Sequence, residues 1–160
     1  MGLALGERFP PFVGCNPMDR TPSSLLITPG RLLLGLYFFG PGLAKFLAPG
    51  QQLELMARHG VPSPEVLLIV AGIANVGAGI LLFTNRYVRL TALGCALYIL
   101  VINLMLHDFW NFTGIEGQHE TQNFFKNLGI LAGLLVLAGA SPWRAISLQG
   151  LKQSDAQADA

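Results

Sequence analysis

The sequence predicts an all-α protein, a four-helix bundle that is integral to a membrane. Of its 160 residues, 52% are hydrophobic and only 12% are charged, whereas soluble domains carry roughly 25% charged residues. Four apolar runs each approach the roughly 20 residues that a helix needs to cross a bilayer. Proline and capping signals stand at several ends of these runs. We therefore expect lipid to be the solvent for most of the surface.

The first two helices are each expected to begin at a proline. The four predicted helices cover about residues 30–47, 65–83, 88–107 and 122–140, within a domain of residues 25–149. Thr28 precedes Pro29 and Ser63 precedes Pro64, so each pair offers a capping oxygen and a residue suited to the first turn. Pro41 lies inside the first run and is expected to kink that helix.

The fourth helix has signals at both ends and a small-residue face. Thr121 is expected to cap its start, and the pair Ser141 and Pro142 is expected to end it. Gly129 and Gly133 form a GxxxG pair, which predicts close packing against a neighbouring helix. Comparable small residues lie on the first two helices: Gly35, Gly42, Ala71 and Gly79.

Basic residues predict the orientation. With four spans, both termini and the loop between the second and third helices share one side of the membrane. That side holds Arg8, Arg20, Arg31, Arg86, Arg89, Arg144 and Lys152, and the other holds Arg58, Lys45 and Lys126. The positive-inside rule then places both termini in the cytoplasm of a multi-pass protein in the plasma (inner) membrane. Residues 1–24 are expected to be a partly irregular lead-in and residues 150–160 a flexible tail.

Several classes of function lack support in the sequence. The net charge is +1, and no basic stripe with aromatics suggests nucleic-acid binding. Cys15 and Cys95 form no CxxC pair, and the His119-Glu120 pair lacks the second histidine of an HExxH motif, so no metal site is predicted.

Polar residues gather at the predicted outer end of the helices. The stretch LMLHDFWNFTG ends an apolar run, and Asn103, His107 and Asn111 recur one turn apart on its helix. Lys45 and Lys126 lie near the same depth on two other helices. Ionisable groups at membrane depth usually face the bundle interior or a wet cavity, which predicts a pocket. The competing interpretation is a membrane–water boundary, with snorkelling lysines and an aromatic belt.

The order of these motifs resembles the DoxX family of small membrane proteins. The likeness rests on the Gly-x-x-Lys of the first helix, "HGVPSPEVLLIVAGIANVGAGILL" after it, "LHDFWNF", and "QNFFKNLGILAGLL", and it covers about residues 25–140. It implies a four-helix membrane bundle. Some family members are subunits of a thiosulfate:quinone oxidoreductase, and others are linked to membrane oxidoreductase complexes in redox defence. The matching positions are Arg31, Gly42, Lys45, His107, Trp110, Lys126 and Asn127.

The resulting hypothesis is a redox-associated subunit whose outward-facing pocket binds a quinone headgroup. His107, oriented by Asp108, is the candidate proton donor, and Lys126 is the second candidate catalytic residue. The candidate headgroup contacts are Lys45, Asn103, Asp108, Trp110, Asn111 and Gln122. A partner oxidoreductase subunit or a second copy of the chain could bind the bundle. The alternative is a non-catalytic membrane scaffold or binding module for a partner protein.

Overall fold

The computed structural model describes residues 23–148 and 150–158, and this part of the chain is helical without strands. Its α-helices are α1 (Ser23–Leu47), α2 (Gly50–Arg58), α3 (Pro64–Phe83), α4 (Val88–Leu106), α5 (Gly114–Ala140) and α6 (Asp155–Ala158), with a 3-10 helix at Phe109–Asn111. Four segments of the described residues are long and apolar enough to cross a membrane: Leu25–Leu47, Pro64–Phe83, Val88–Asn111 and Gly114–Ala140. The predicted all-α fold with four spans is confirmed.

Two helix starts differ from the prediction. α1 begins at Ser23 and continues through both Pro29 and Pro41, so Pro29 does not mark its first turn. α5 begins at Gly114, about two turns before the predicted start. Thr121 therefore lies inside α5, where its hydroxyl donates to the carbonyl of Gly117 at 2.7 Å instead of capping the helix. The predicted start of α3 at Pro64 and the predicted end of α5 before Ser141 are confirmed.

A short amphipathic helix, α2, was not predicted. Its nine residues are too few to cross a membrane and lie outside the four predicted spans. One face of α2 carries Met56, which packs with Val61 and Leu68 in a small buried cluster. α2 therefore closes one end of the bundle, which we call the His107 end. The opposite end, where the chain passes from α3 to α4, is called the Asp155 end.

Close packing of α1 on α3 depends on glycine. A Cβ atom added at Gly42 would lie 2.9 Å from the backbone nitrogen of Val76, and one at Gly79 would lie 2.6 Å from the Cβ of Phe39. Gly35 meets the same helix at comparable distances. These contacts confirm the small-residue faces predicted on the first two spans.

The GxxxG pair of the fourth span does not pack. A Cβ added at Gly129 or Gly133 would meet no atom within 4 Å, so the predicted contact at these two positions is wrong. α5 instead packs on α4 through other positions, and Leu134 is completely buried. The GxxxG spacing alone does not reveal which face of the helix carries the contact.

The Asp155 end is held by the described part of the C-terminal segment, residues 150–158, which was expected to be a flexible tail. Asp155 is 3% exposed, and its carboxylate accepts hydrogen bonds from the backbone N–H groups of Tyr87 (3.0 Å) and Val88 (2.8 Å). Arg144 pairs with the same carboxylate at 2.8 Å. The segment therefore caps the start of α4.

Most of the predicted lead-in, residues 1–22, lies outside the described residues.

Candidate functional site

His107 and Glu120 form a shielded pair at the His107 end. The Nδ1 atom of His107 lies 2.6 Å from Oε2 of Glu120, and the two side chains are only 12% and 9% exposed. His107 directly follows α4, and Glu120 lies two turns into α5. A carboxylate beside Nδ1 favours the tautomer that carries the proton on that nitrogen. In the described part of the chain no group bonds Nε2 of His107, which leaves that atom for a ligand.

Asp108 was expected to orient His107, and this prediction is wrong. Its Oδ2 instead accepts a hydrogen bond from Nδ2 of Asn111 at 2.6 Å, and its Oδ1 lies 3.2 Å from Nε2 of His59. The His59 contact is close enough for an ion pair, but its geometry does not meet that of a hydrogen bond. Nδ1 of His59 lies 2.9 Å from the carbonyl of Leu55 in α2. The contact of His59 with Asp108 therefore joins the end of α2 to the loop after α4.

Asn103 belongs to a polar network one turn deeper in the bundle. Its amide nitrogen donates to the carbonyl of Phe124 at 3.1 Å, and its oxygen accepts from Asn127 at 2.8 Å. The oxygen of Asn127 accepts from the hydroxyl of Tyr37 at 3.2 Å. Both asparagines are almost fully buried. Since these amides bond to each other and to the protein, Asn103 connects α4 to α5 and, through Asn127, to α1.

Lys45 is buried on the inner face of α1. It is 9% exposed, and the nearest acceptor of its ammonium group is the carbonyl of Pro41 at 3.4 Å. No carboxylate of the described residues comes within ion-pair distance of it. Buried charges in membrane proteins are usually paired or face a wet cavity. Lys45 is thus a cation with donor capacity left over.

Lys126 and Gln122 are not brought together with His107. Both side chains are exposed, and the ammonium group of Lys126 donates to Asn123 one turn away at 2.8 Å. Lys126 follows Glu120 by six positions, which places it on another side of α5. The expected cluster of Lys45, His107 and Lys126 around one cavity therefore does not form.

Trp110 belongs to an aromatic cluster at the same end. Its ring packs edge-on against Phe109 and Phe124, with ring centres 5.2 Å and 6.2 Å apart, and it is 56% exposed. A neighbouring open depression of about 530 Å³ includes Phe109 and Gln122 in its lining. An aromatic rim at this depth suits both a membrane boundary and a planar ligand.

Arg58, at the end of α2, links that helix to the first turn of α5. Its guanidinium donates to Glu54 at 2.9 Å and to Glu116 at 3.1 Å. These hydrogen bonds raise the pKa of Arg58, and the one to Glu54 has the larger effect. All three side chains are about half exposed or more, so water screens the attraction.

Comparison with known proteins decides the family. The sequence model of the DoxX family matches residues 26–108. The chain belongs to the DoxX family. This DoxX family protein is also 32% identical over 127 residues to inner membrane protein YphA of Escherichia coli (strain K12), an alignment that covers 79% of this chain and 89% of that protein. No solved structure matches the sequence. With its four apolar helices, the DoxX family protein is a multi-pass protein of the inner membrane.

Sequence reasoning missed the partner of His107. Glu120 was grouped with the loop because the fourth helix was expected to begin at residue 122. With α5 beginning at Gly114, Glu120 and Asn127 lie two turns apart on one face of the helix. The seven-residue spacing of two polar side chains in an apolar helix was the available signal.

Proposed function

We propose that this DoxX family protein is a redox-associated subunit whose His107 end binds the headgroup of a quinone. The observation that carries the proposal is the shielded pair of His107 and Glu120, with its 2.6 Å contact and a ring nitrogen left for a ligand. A bound quinone would supply the two-electron chemistry, with a partner oxidoreductase subunit as the source or acceptor of electrons.

Two side chains toward this end support the proposal through their hydrogen-bonding groups. A quinone offers two carbonyl oxygens, each of which needs a hydrogen-bond donor. Nε2 of His107 can donate to one of these oxygens when the ring carries a proton on both nitrogens, while Glu120 orients the ring through Nδ1. We assign the second donor to the buried ammonium group of Lys45, whose contact within the described residues is the carbonyl of Pro41 at 3.4 Å. Asn103 and Asn127 keep α4 and α5 in register below the site.

Quinone binding can be tested by fluorescence with the purified protein in detergent. The chain has two tryptophans, so the change Trp143→Phe leaves Trp110 as the reporter at the His107 end. Decylubiquinone should quench Trp110 fluorescence in a saturable manner. His107→Ala and Glu120→Gln should each weaken binding by about tenfold or more, the scale of one charge-assisted hydrogen bond. His119→Ala is the matched control, because His119 lies beside Glu120 but is exposed.

Two results would contradict the proposal. One is the absence of saturable quenching in the protein with native His107 and Glu120. The other is equal affinity in the His107→Ala, Glu120→Gln and His119→Ala variants. Either result would favour the alternative of a non-catalytic scaffold, in which the His107–Glu120 pair only ties α4 to α5.

We also propose that the His107 end faces outward and that both termini are cytoplasmic. The excess of arginine and lysine toward the Asp155 end supports this orientation. Reporter fusions after Arg86 and Lys152 should then report the cytoplasm, and one near Gly117 the outer side. A cytoplasmic signal at Gly117 would reverse the orientation and move the proposed site to the inner face.

A further inference from the structure

A groove of about 710 Å³ separates α3 from α4 toward the Asp155 end. It exists because the facing residues are small: Ala74, Gly77 and Ala78 on α3, and Gly94 and Cys95 on α4. A Cβ added at Gly77 or Gly94 would meet no atom within 4 Å. Leu148 and Leu151 of the C-terminal segment also line it. The groove is thus an apolar space that the described residues leave unfilled.

The length of this groove matches one leaflet of a bilayer. It extends along α4 from Tyr87 to Tyr98, eleven residues, or about 16 Å at the rise of an α-helix. The hydrocarbon core of a bilayer is about 30 Å thick, so one leaflet contributes about 15 Å. An acyl chain that enters at the Asp155 end can therefore extend along the groove to the middle of the membrane.

One polar atom in the groove has no partner. Thr91 is 8% exposed and lines the groove, and its hydroxyl makes no hydrogen bond within the described part of the chain. A hydroxyl without a partner in an apolar medium costs free energy. An ester oxygen or a hydroxyl group of a ligand in the groove would satisfy it.

Two arginines flank the groove in the sequence, since Arg86 precedes Tyr87 and Arg89 precedes Leu90, and both of these neighbours line it. Nε of Arg86 and Nε of Arg89 are both buried and have no hydrogen-bond partner among the described residues. The guanidinium of Arg89 lies over the ring of Trp143, 5.3 Å from its centre. A second cavity, of about 120 Å³, is lined by Arg89 and Trp143 and shares Tyr87 with the groove. This volume is several times the roughly 30 Å³ that one water molecule takes in the liquid.

These arginines are not neutralised by carboxylates of the described residues. Asp155 is the acidic residue at this end in the described part of the chain, and its ion pair is with Arg144. Within the described residues, Arg86 donates to the carbonyl of Lys152 at 3.3 Å. Guanidinium groups at a membrane surface suit phosphate, for which their planar arrangement of donors is well matched.

We propose that the Asp155 end binds an anionic phospholipid, with its phosphate at Arg89 and Arg86 and one acyl chain in the groove between α3 and α4. The charge at the mouth recognises the headgroup, and the unfilled groove recognises the chain. The C-terminal segment, held by Asp155, then lies against the bound chain through Leu148 and Leu151. This site is separate from the quinone site proposed at the His107 end.

The test compares phosphatidylglycerol with phosphatidylcholine of the same acyl chains, using the full chain in detergent and native mass spectrometry to count bound lipid. The wild-type protein should bind phosphatidylglycerol more tightly. Arg89→Gln should lower that affinity on the order of fivefold, the effect of one basic residue near a membrane surface. The affinity for phosphatidylcholine should fall less, because its choline cation offsets the charge of its phosphate. Gly94→Leu should abolish binding of both lipids, because its side chain would occupy the groove.

Gly133→Leu is the matched control, since position 133 also lies in open space but on α5. It should bind both lipids as the wild type does, and all variants should retain the circular dichroism of the native fold. Equal affinity of the wild type for the two lipids would overturn the assignment of the headgroup. Unchanged lipid binding by Gly94→Leu would overturn the assignment of the groove. Displacement of phosphatidylglycerol by millimolar inorganic phosphate alone would show a free-phosphate site and also overturn the proposal.

Discussion

The contact between α1 and α3 predicts opposite effects for two glycine-to-alanine changes. At Gly42 the new Cβ would lie 2.9 Å from the nitrogen of Val76 and 3.0 Å from the Cβ of Asn75. Favourable carbon–carbon separations are about 3.5–4.0 Å, so the helices would have to move apart by about 0.5 Å or more. Overpacking of this kind costs about 1–3 kcal/mol. At Gly133 the same methyl group meets nothing within 4 Å.

The difference between the two variants isolates this packing cost. Both changes remove a glycine from a helix interior, so the gain in helix propensity, up to about 1 kcal/mol, largely cancels between them. Gly42→Ala should therefore be less stable than Gly133→Ala by about 1–3 kcal/mol. Reversible unfolding in mixed micelles, followed by far-UV circular dichroism, measures the free energy of each. Equal stability of the two variants would refute the close approach of α1 and α3 at Gly42.

Three further predictions concern the polar residues at the two ends. In a double-mutant cycle on the free energy of unfolding, His107→Ala and Glu120→Ala should couple by about 0.5–3 kcal/mol. The effects of His107→Ala and Lys126→Ala should instead add within about 0.5 kcal/mol, and coupling in this second pair alone would contradict the proposed site. Asp155→Ala should destabilise the protein by about 3–5 kcal/mol, since it leaves Arg144 unpaired; a change below about 0.5 kcal/mol would show that the C-terminal segment is loose. Arg58→Gln should leave the melting temperature unchanged, because that ion pair is exposed. A clear drop in melting temperature would indicate that Arg58 holds α2 against the start of α5.

The four spans were predictable because their hydrophobicity stands out clearly from the rest of the sequence. Each apolar run is long enough to cross the bilayer, and breaks such as Ser141 and Pro142 stop a helix for local reasons. The ends were harder where amphipathic residues extend a helix beyond its apolar part. α5 continues back to Gly114 through Glu116 and Glu120, which hydropathy assigns to a loop. The short helix α2 was missed for the same reason.

Facing surfaces were only partly predictable, because small residues occur both at helix contacts and on lipid-facing sides. Gly42 and Gly79 lie at a contact, while Gly129 and Gly133, with the better-known spacing, do not. The partners of polar residues were similarly hidden. Glu120, rather than the adjacent Asp108, contacts His107, because the chain turns after α4 and Asp108 then lies beside His59.

The bundle consists of two helix pairs, α1 with α3 and α4 with α5, and hydrogen bonds occur within the pairs and between them. α1 and α3 are joined by glycine contacts and by the hydrogen bond from Arg31 to the carbonyl of Leu82, and α4 and α5 by apolar packing and the asparagine network. Two hydrogen bonds link one pair to the other, from Tyr37 to Asn127 and from Asn75 to Tyr98. Hydrogen bonds between membrane helices contribute about 0.6 kcal/mol each on average, so this junction is held less firmly than a continuous packed interface. A ligand can enter a junction of this kind without breaking either pair. The groove between α3 and α4 lies at this junction.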